Sequence, residues 1–373
     1  MHNLLIAMVT VLAVLFSGRF AAAEKHQEES TRNTEQVISR AVNYLRTTGQ
    51  AEDGSFSAHS GTGVTSLVTI ALLCNGRSAD DPLVERSLKW LETFVQEDGG
   101  IYQPGSLYRN YETCLAILCF QEANRDGRYD DAIQQANEFI KDIQWGPRNG
   151  TDSADPADGG AGYGKHGRPD LSNTSFFVEA SIAAGDDPQC KAIQRALKFI
   201  SRCQNLETEY NTTPFAAKIN DGSFYYTAAE GGKSQRGETR DGGLRGYGSM
   251  TYAGLKSMIY AGLGSDDPRV KAALDWIRAH YDLQANPGMG NQGLYYYYHT
   301  FAKALDAMGE DVFVDEAGVK HHWREELAQE LARRQRDDGT WVNEHARWLE
   351  GDANLVTSYA LITLSYCNKS HGR

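Results

Sequence analysis

The chain has 373 residues and a formal net charge of -12, with 41% of its residues hydrophobic and 23% charged. That balance excludes a largely disordered chain, and the acidic excess without a basic run excludes nucleic acid as a partner. The length accommodates one large core or two domains.

In chain order, the first feature is an export signal. His2 precedes an apolar stretch from Leu4 to Phe16, and Ala21-Ala22-Ala23 offers a small-residue cleavage site, so residues 1–23 are expected to be a signal peptide. The stretch is too short to span a bilayer. The mature chain, 24–373, is therefore expected to be secreted or periplasmic, not membrane-spanning, and built as one domain.

Two kinds of helical segment then alternate. One kind carries an aliphatic residue, a small residue three later and an aromatic–aliphatic pair at six and seven. Ile38, Ala41, Tyr44 and Leu45 form the first copy, and further copies start at Val84, Ile133, Ile193 and Val270. A degenerate sixth copy runs from Trp323 to Leu331. This is one helix face at a 3.6-residue period. The other kind is anchored on a Thr, at Thr65, Thr113, Thr174, Thr251, Thr300 and Thr357, and the runs from Thr65 and Thr357 are apolar nearly all round. An amphipathic helix followed by an all-round apolar one, six times over, predicts an all-α fold. The expected architecture is an α/α toroid of six helix pairs, with the apolar helices forming the inner ring.

The punctuation agrees. Asp81-Pro82, Asp187-Pro188 and Asp267-Pro268 place a capping carboxylate before a first-turn proline. Gln50-Ala-Glu-Asp-Gly-Ser-Phe56, Gln96-Glu-Asp-Gly-Gly-Ile-Tyr102 and Gln335-Arg-Asp-Asp-Gly-Thr-Trp341 close three outer helices, with Gly permitting a left-handed turn. Two long connections, 146–170 and 205–248, enter the third and fourth Thr-anchored helices and so are expected at one end of the ring.

The Gln-x-x-x-Gly-x-aromatic segments, joined to paired helices, resemble the QW-type repeat of terpene cyclases and protein prenyltransferases, and the stretch from Gly243 to Leu263 resembles helix entries of prenyltransferase β subunits. In particular the mature chain is similar to secreted bacterial proteins with prenyltransferase/squalene-oxidase repeats. The resemblance implies a central cavity for a small apolar, isoprenoid-like ligand. The sequence has no Asp-x-Asp-Asp, no Asp-Asp-x-x-Asp and no Asp-x-Cys. Tyr298-His299-Thr300 matches one zinc-binding element of the prenyltransferases, but Gly242-Gly243 follows Asp241 where their thiolate ligand would stand. Gly288-Met289-Gly-Asn-Gln resembles a thioester segment, with Met289 in place of the required Cys. No metal site is expected, the cofactor is undefined, and these absences leave open whether the chain is an enzyme.

The residues before the anchoring threonines are Val64, Glu112, Asn173, Met250, His299 and Val356. Parallel inner helices would bring them to one mouth, where helix N-termini supply partial positive charge. His299 is the first candidate for acid–base work, with Glu112 or Asp352 as its carboxylate partner. Glu112 could equally be an exposed first-turn residue, and Asp352 a cap. Tyr295, Tyr298, Tyr247, Asn173, Arg245 and Asp241 are candidate ligand-binding residues, with Arg109 nearby. The run Tyr295 to Tyr298 covers more than one helix face, so at least one ring should reach the cavity. Asp152, Asp155 and Asp158 lack the spacing of a calcium loop. The cysteines are expected as buried thiols, with a Cys74–Cys367 staple between the first and last inner helices as the one pairing that ring closure suggests. Three readings stand: a toroid that binds or transforms a small apolar ligand, a non-enzymatic scaffold for an unknown protein partner, and a polysaccharide-active enzyme.

Overall fold

The computed structural model describes residues 32–164 and 167–369; the expected signal peptide lies outside them. Its outer helices are α1 (32–44, extended by a π-helical turn Leu45–Gly49), α3 (Pro82–Glu92), α5 (Asp130–Ile143), α7 (Lys191–Arg202), α10 (Pro268–Ala279) and α12 (Trp323–Arg334). The inner helices are α2 (Gly63–Cys74), α4 (Arg109–Ala123), α6 (Leu171–Ala183), α9 (Gly248–Tyr260), α11 (Leu294–Met308) and α13 (Ala353–Cys367), while α8 (Ala216–Ile219) is one turn inside a long loop. A short antiparallel hairpin, β1 (Phe313–Val314) with β2 (Lys320–His321), joins α11 to α12. The inner helices pack in the order α2, α4, α6, α9, α11, α13, and α13 returns to α2. The fold is an α/α toroid.

The sequence pattern positions each layer. In α7 the stripe Ile193, Ala196, Phe199 and Ile200 is buried against the inner ring. In α2 every residue from Gly63 to Leu72 is buried, because both faces of an inner helix meet protein. Asp81 and Asp267 cap α3 and α10 by accepting the Leu83 and Arg269 amides. At Asp187-Pro188 the helix starts later than expected: Asp187 caps a turn, and α7 begins at Lys191.

One junction recurs between the layers. In five of the six pairs the anchoring Thr hydroxyl accepts the backbone N–H of a residue two beyond a left-handed Gly: Thr65 from Phe56, Thr113 from Ile101, Thr174 from Ala161, Thr251 from Phe224 and Thr357 from Trp341. The five glycines, 54, 99, 159, 222 and 339, have φ between 79° and 94°. They lie so close to the next outer helix that a Cβ would stand 1.9–2.9 Å from its carbonyl oxygens. Gln50, Gln144, Gln204 and Gln335 each donate both to a loop carbonyl at such a Gly and to a carbonyl near the start of the following outer helix. Gln335 reaches Val37 at 2.8 Å and so joins the last pair to the first. Gln96 instead serves its own loop, and its Thr holds Ile101, one residue before the aromatic Tyr102. In the fifth pair Tyr297 and Tyr298 replace the clasp, donating their hydroxyls to the Asp282 and Leu283 carbonyls at 2.6 and 2.5 Å.

In the C-terminal halves of the inner helices the ring is filled. Glu179 of α6 bridges Lys256 of α9 and Lys303 of α11, all three buried. The two ammonium groups hold its carboxyl well below the usual range against the opposing effect of burial. All six cysteines are unbonded. Cys74 and Cys367 lie on neighbouring helices, as ring closure required, yet form no staple. Among the described residues no helix is long and apolar enough to cross a membrane, and no group of His, Cys, Asp and Glu is arranged to hold a metal.

Candidate functional site

The six inner helices converge by their N-termini on a cavity of ≈ 710 Å³. Each contributes to its wall: Val64 from α2, Tyr111 and Glu112 from α4, Ser172 and Phe176 from α6, Met250 from α9, Tyr296 from α11, and Leu355 and Tyr359 from α13. The two long connections add Tyr163, Tyr226, Gln235 and Tyr247, so both lie at this end as expected. The aromatics interlock edge to face. Tyr111 meets Phe176 at 5.3 Å, and Tyr296 meets Tyr359 at 6.0 Å. At the mouth an apolar collar faces solvent, with Leu107 58%, Leu349 52% and Trp348 43% exposed.

Two carboxylates line this wall. Glu112 is 1% exposed. It accepts the Gln103 amide at 2.8 Å, the Ser106 hydroxyl at 2.6 Å and, more distantly, the Thr62 hydroxyl at 3.4 Å. It is therefore a buried acceptor and not an exposed first-turn residue. Glu350 has no counterpart in the sequence-based candidates. It accepts the Tyr296 amide at 2.8 Å and the Asn343 side chain at 2.5 Å, at the N-terminus of α11. Burial pushes its carboxyl up to about 7, against the opposing hydrogen bonds from Tyr296 and Asn343. Behind Tyr226, buried Asp170 caps α6, and desolvation lifts it to about 6.

Tyr247 lines the cavity. Tyr296 is the ring of the tyrosine run that does so, while Tyr295 and Tyr298 turn away, stacked edge to face at 5.8 Å. His299 is not on the cavity surface. It lies beneath the belt of aromatic rings that lines the wall, 5.1 Å from the Tyr359 ring and 6.5 Å from those of Phe176 and Tyr296. Neither ring nitrogen has a hydrogen-bond partner. Burial first, then the Lys303 charge, pushes its pKa well below the ordinary imidazole value, so it is neutral. Asn173 is buried against Asp170 and contributes nothing to the wall. Asp352 caps α13 through the Leu355 amide, the alternative reading of that residue. Asp241 and Arg245 are exposed on the long loop, and Arg109 sits over the Tyr102 ring outside the cavity. The expected His299–Glu112–Asp352 grouping is therefore not brought together at the wall. Asp158 pairs with Arg195 and Lys198, while Asp152 and Asp155 cap turns, so the three do not converge on a cation.

The raised Glu350 carboxyl has a consequence for stability. A group that is protonated more readily folded than unfolded supports the fold below its unfolded value, near 4.5, and loses that support as pH rises through about 7. Between pH 5 and 8 the chain should lose about 2–3 kcal/mol from this residue. Denaturant unfolding of Glu350→Gln across that range should show a flatter profile than the native protein. A constant offset between the two would show that the carboxyl titrates in its ordinary range.

No protein-family model matches the chain, and no curated protein matches it. Solved structures do. A single-substitution variant of the type II terpene cyclase MstE from Scytonema, without ligand, is 12% identical with a TM-score of 0.55, over 91% of this chain and 98% of that one. A second MstE variant, in complex with geranylgeranyl dihydroxybenzoate, is 13% identical with a TM-score of 0.53 over 91% and 98%. MstE without substitution or ligand is 13% identical, with a TM-score of 0.52 over 90% and 98%. The likeness is one of fold: this chain has a terpene cyclase-like toroid.

Proposed function

We propose that the protein is an exported terpenoid cyclase/prenyltransferase-like toroid that holds or transforms a small apolar, isoprenoid-like ligand in its central cavity. The observation that carries this is the wall itself: nine of its 28 residues are Tyr, Phe or Trp, contributed by several inner helices and both long loops. Such a volume and lining suit a ligand of small-molecule size whose surface is mainly apolar. A ring filled throughout by side chains, as the scaffold reading expects, is found only beneath the belt. The fold shared with MstE, one variant of which holds a geranylgeranyl substrate, supports an isoprenoid chain as the ligand. Export rests on the leader sequence.

Native mass spectrometry of the mature protein from its exported fraction, followed by titration with geranylgeraniol, tests this. A bound apolar mass, or saturable binding that weakens roughly tenfold or more in Tyr296→Ala and Phe176→Ala, is expected, since truncating a buried aromatic removes about 1.5–3 kcal/mol of apolar contact. An empty protein that takes up no isoprenoid alcohol would overturn the reading.

A further inference from the structure

The buried carboxylates divide into two sets. Away from the cavity each has a cation: Asp158 has Arg195, Glu179 has Lys256 and Lys303, and Glu330 has Arg333 and Arg334. At the cavity, Glu112 and Glu350 on the wall and Asp170 behind Tyr226 are held by amides and hydroxyls alone. Among the described residues, no Lys or Arg lines the wall. Arg347, at the rim, stacks on Trp348 and donates to the side-chain oxygens of Gln235 and Gln292.

We propose that the ligand of this cavity carries a positive charge, as an apolar molecule bearing an organic ammonium group seated among the aromatic faces near Glu112. The proposal rests on the reading that the cavity is the ligand site, and it names the sign of the ligand's charge. A carboxylate out of water and without a counter-ion is an incomplete ion pair, and Glu112 on this wall is one. Tyrosine and tryptophan faces present the negative side of their quadrupole, the arrangement by which aromatic cages take quaternary ammonium groups. The opposing influence is the partial positive charge of six helix N-termini. Four of these already face a carboxylate: Asp170 at α6, Asp352 at α13, Glu350 at α11 and Glu112 in the first turn of α4. An anionic head group, such as a diphosphate, would meet Glu112 and Glu350 on the wall instead.

The test uses the full mature chain and three probes with one eight-carbon tail: octyltrimethylammonium, octan-1-ol and octyl sulfate. Isothermal titration at roughly 150 mM salt screens attraction to the acidic outer surface. The ammonium should bind at least roughly tenfold more tightly than the alcohol, and the sulfate most weakly. Glu112→Gln should remove most of the ammonium's advantage over the alcohol. Because Glu112→Gln could disturb the loop it holds, the ranking of the three probes on the native chain is decisive by itself. Equal binding of alcohol and ammonium would overturn the charge assignment and leave the apolar cavity standing. Binding led by the sulfate would overturn it outright. Failure of all three to bind would overturn both.

Discussion

Replacing Glu179 with Gln should destabilise the protein by roughly 3–5 kcal/mol, the largest loss expected from any conservative single change. The carboxylate lies between the ammonium groups of Lys256 and Lys303, and all three side chains are buried inside the ring. Glutamine fills the same space but leaves two like charges facing each other in a medium that cannot solvate them. The folded pKa of Glu179 is depressed, so its contribution is complete above the unfolded value near 4.5 and is lost as pH falls below it. The midpoint shift in chemical denaturation at neutral pH measures the effect. Combining Glu179→Leu with Lys256→Met and Lys303→Met should restore most of the loss, because an apolar trio needs no counter-charge. A loss below about 1 kcal/mol for the single change would show that water reaches the cluster.

The second large effect is expected at a glycine. Gly159→Ala should cost roughly 3 kcal/mol or more, whereas Gly150→Ala in the same loop should cost about 1 kcal/mol. Both have left-handed backbones, with φ of 88° and 77°. They differ in surroundings: a Cβ at Gly159 would lie 1.9 Å from the Arg195 carbonyl oxygen, while one at Gly150 meets nothing within 4 Å. The pair separates backbone strain from the close approach of the loop to α7. Equal costs for the two variants would show that the loop shifts freely and that the junction does not hold the layers together.

The junction between the layers is only partly local in sequence. Gln50 and Gln335 were recognisable because their Gly follows four residues later. Gln144 and Gln204 make the same paired hydrogen bonds, but their glycines, 159 and 222, come 15 and 18 residues later, with the long loops inserted between. The signal was present in Asp158-Gly159-Gly160 and Asp221-Gly222-Ser223, separated from its Gln by insertion. The Thr anchors were legible as a recurrence, and their hydrogen bond to the turn explains why a hydroxyl recurs in helices otherwise so apolar.

The candidate site was less legible. Tyr247 and Glu112 were found and do line the cavity, whereas Glu350 was missed. Glu350 sits in an irregular segment beside Trp348 and Leu349, whose φ of 56° and 63° no local pattern announces. His299, beside Tyr298 and Thr300, looked like a reactive group. Tyr296 and His299 stand only about 60° apart round α11 but nearly one turn apart along it, which puts Tyr296 at the wall and His299 beneath it.

Periodicity, caps and recurring threonines by themselves determined the helices and their two layers, because burying an amphipathic face is a local demand repeated six times, and six pairs allowed a closed ring, which the contact of α13 with α2 completes. Only the tertiary structure decided which side chains meet at the cavity. A helix rotation of a few tens of degrees leaves the hydrophobic period intact, while it exchanges one residue for its neighbour at the wall.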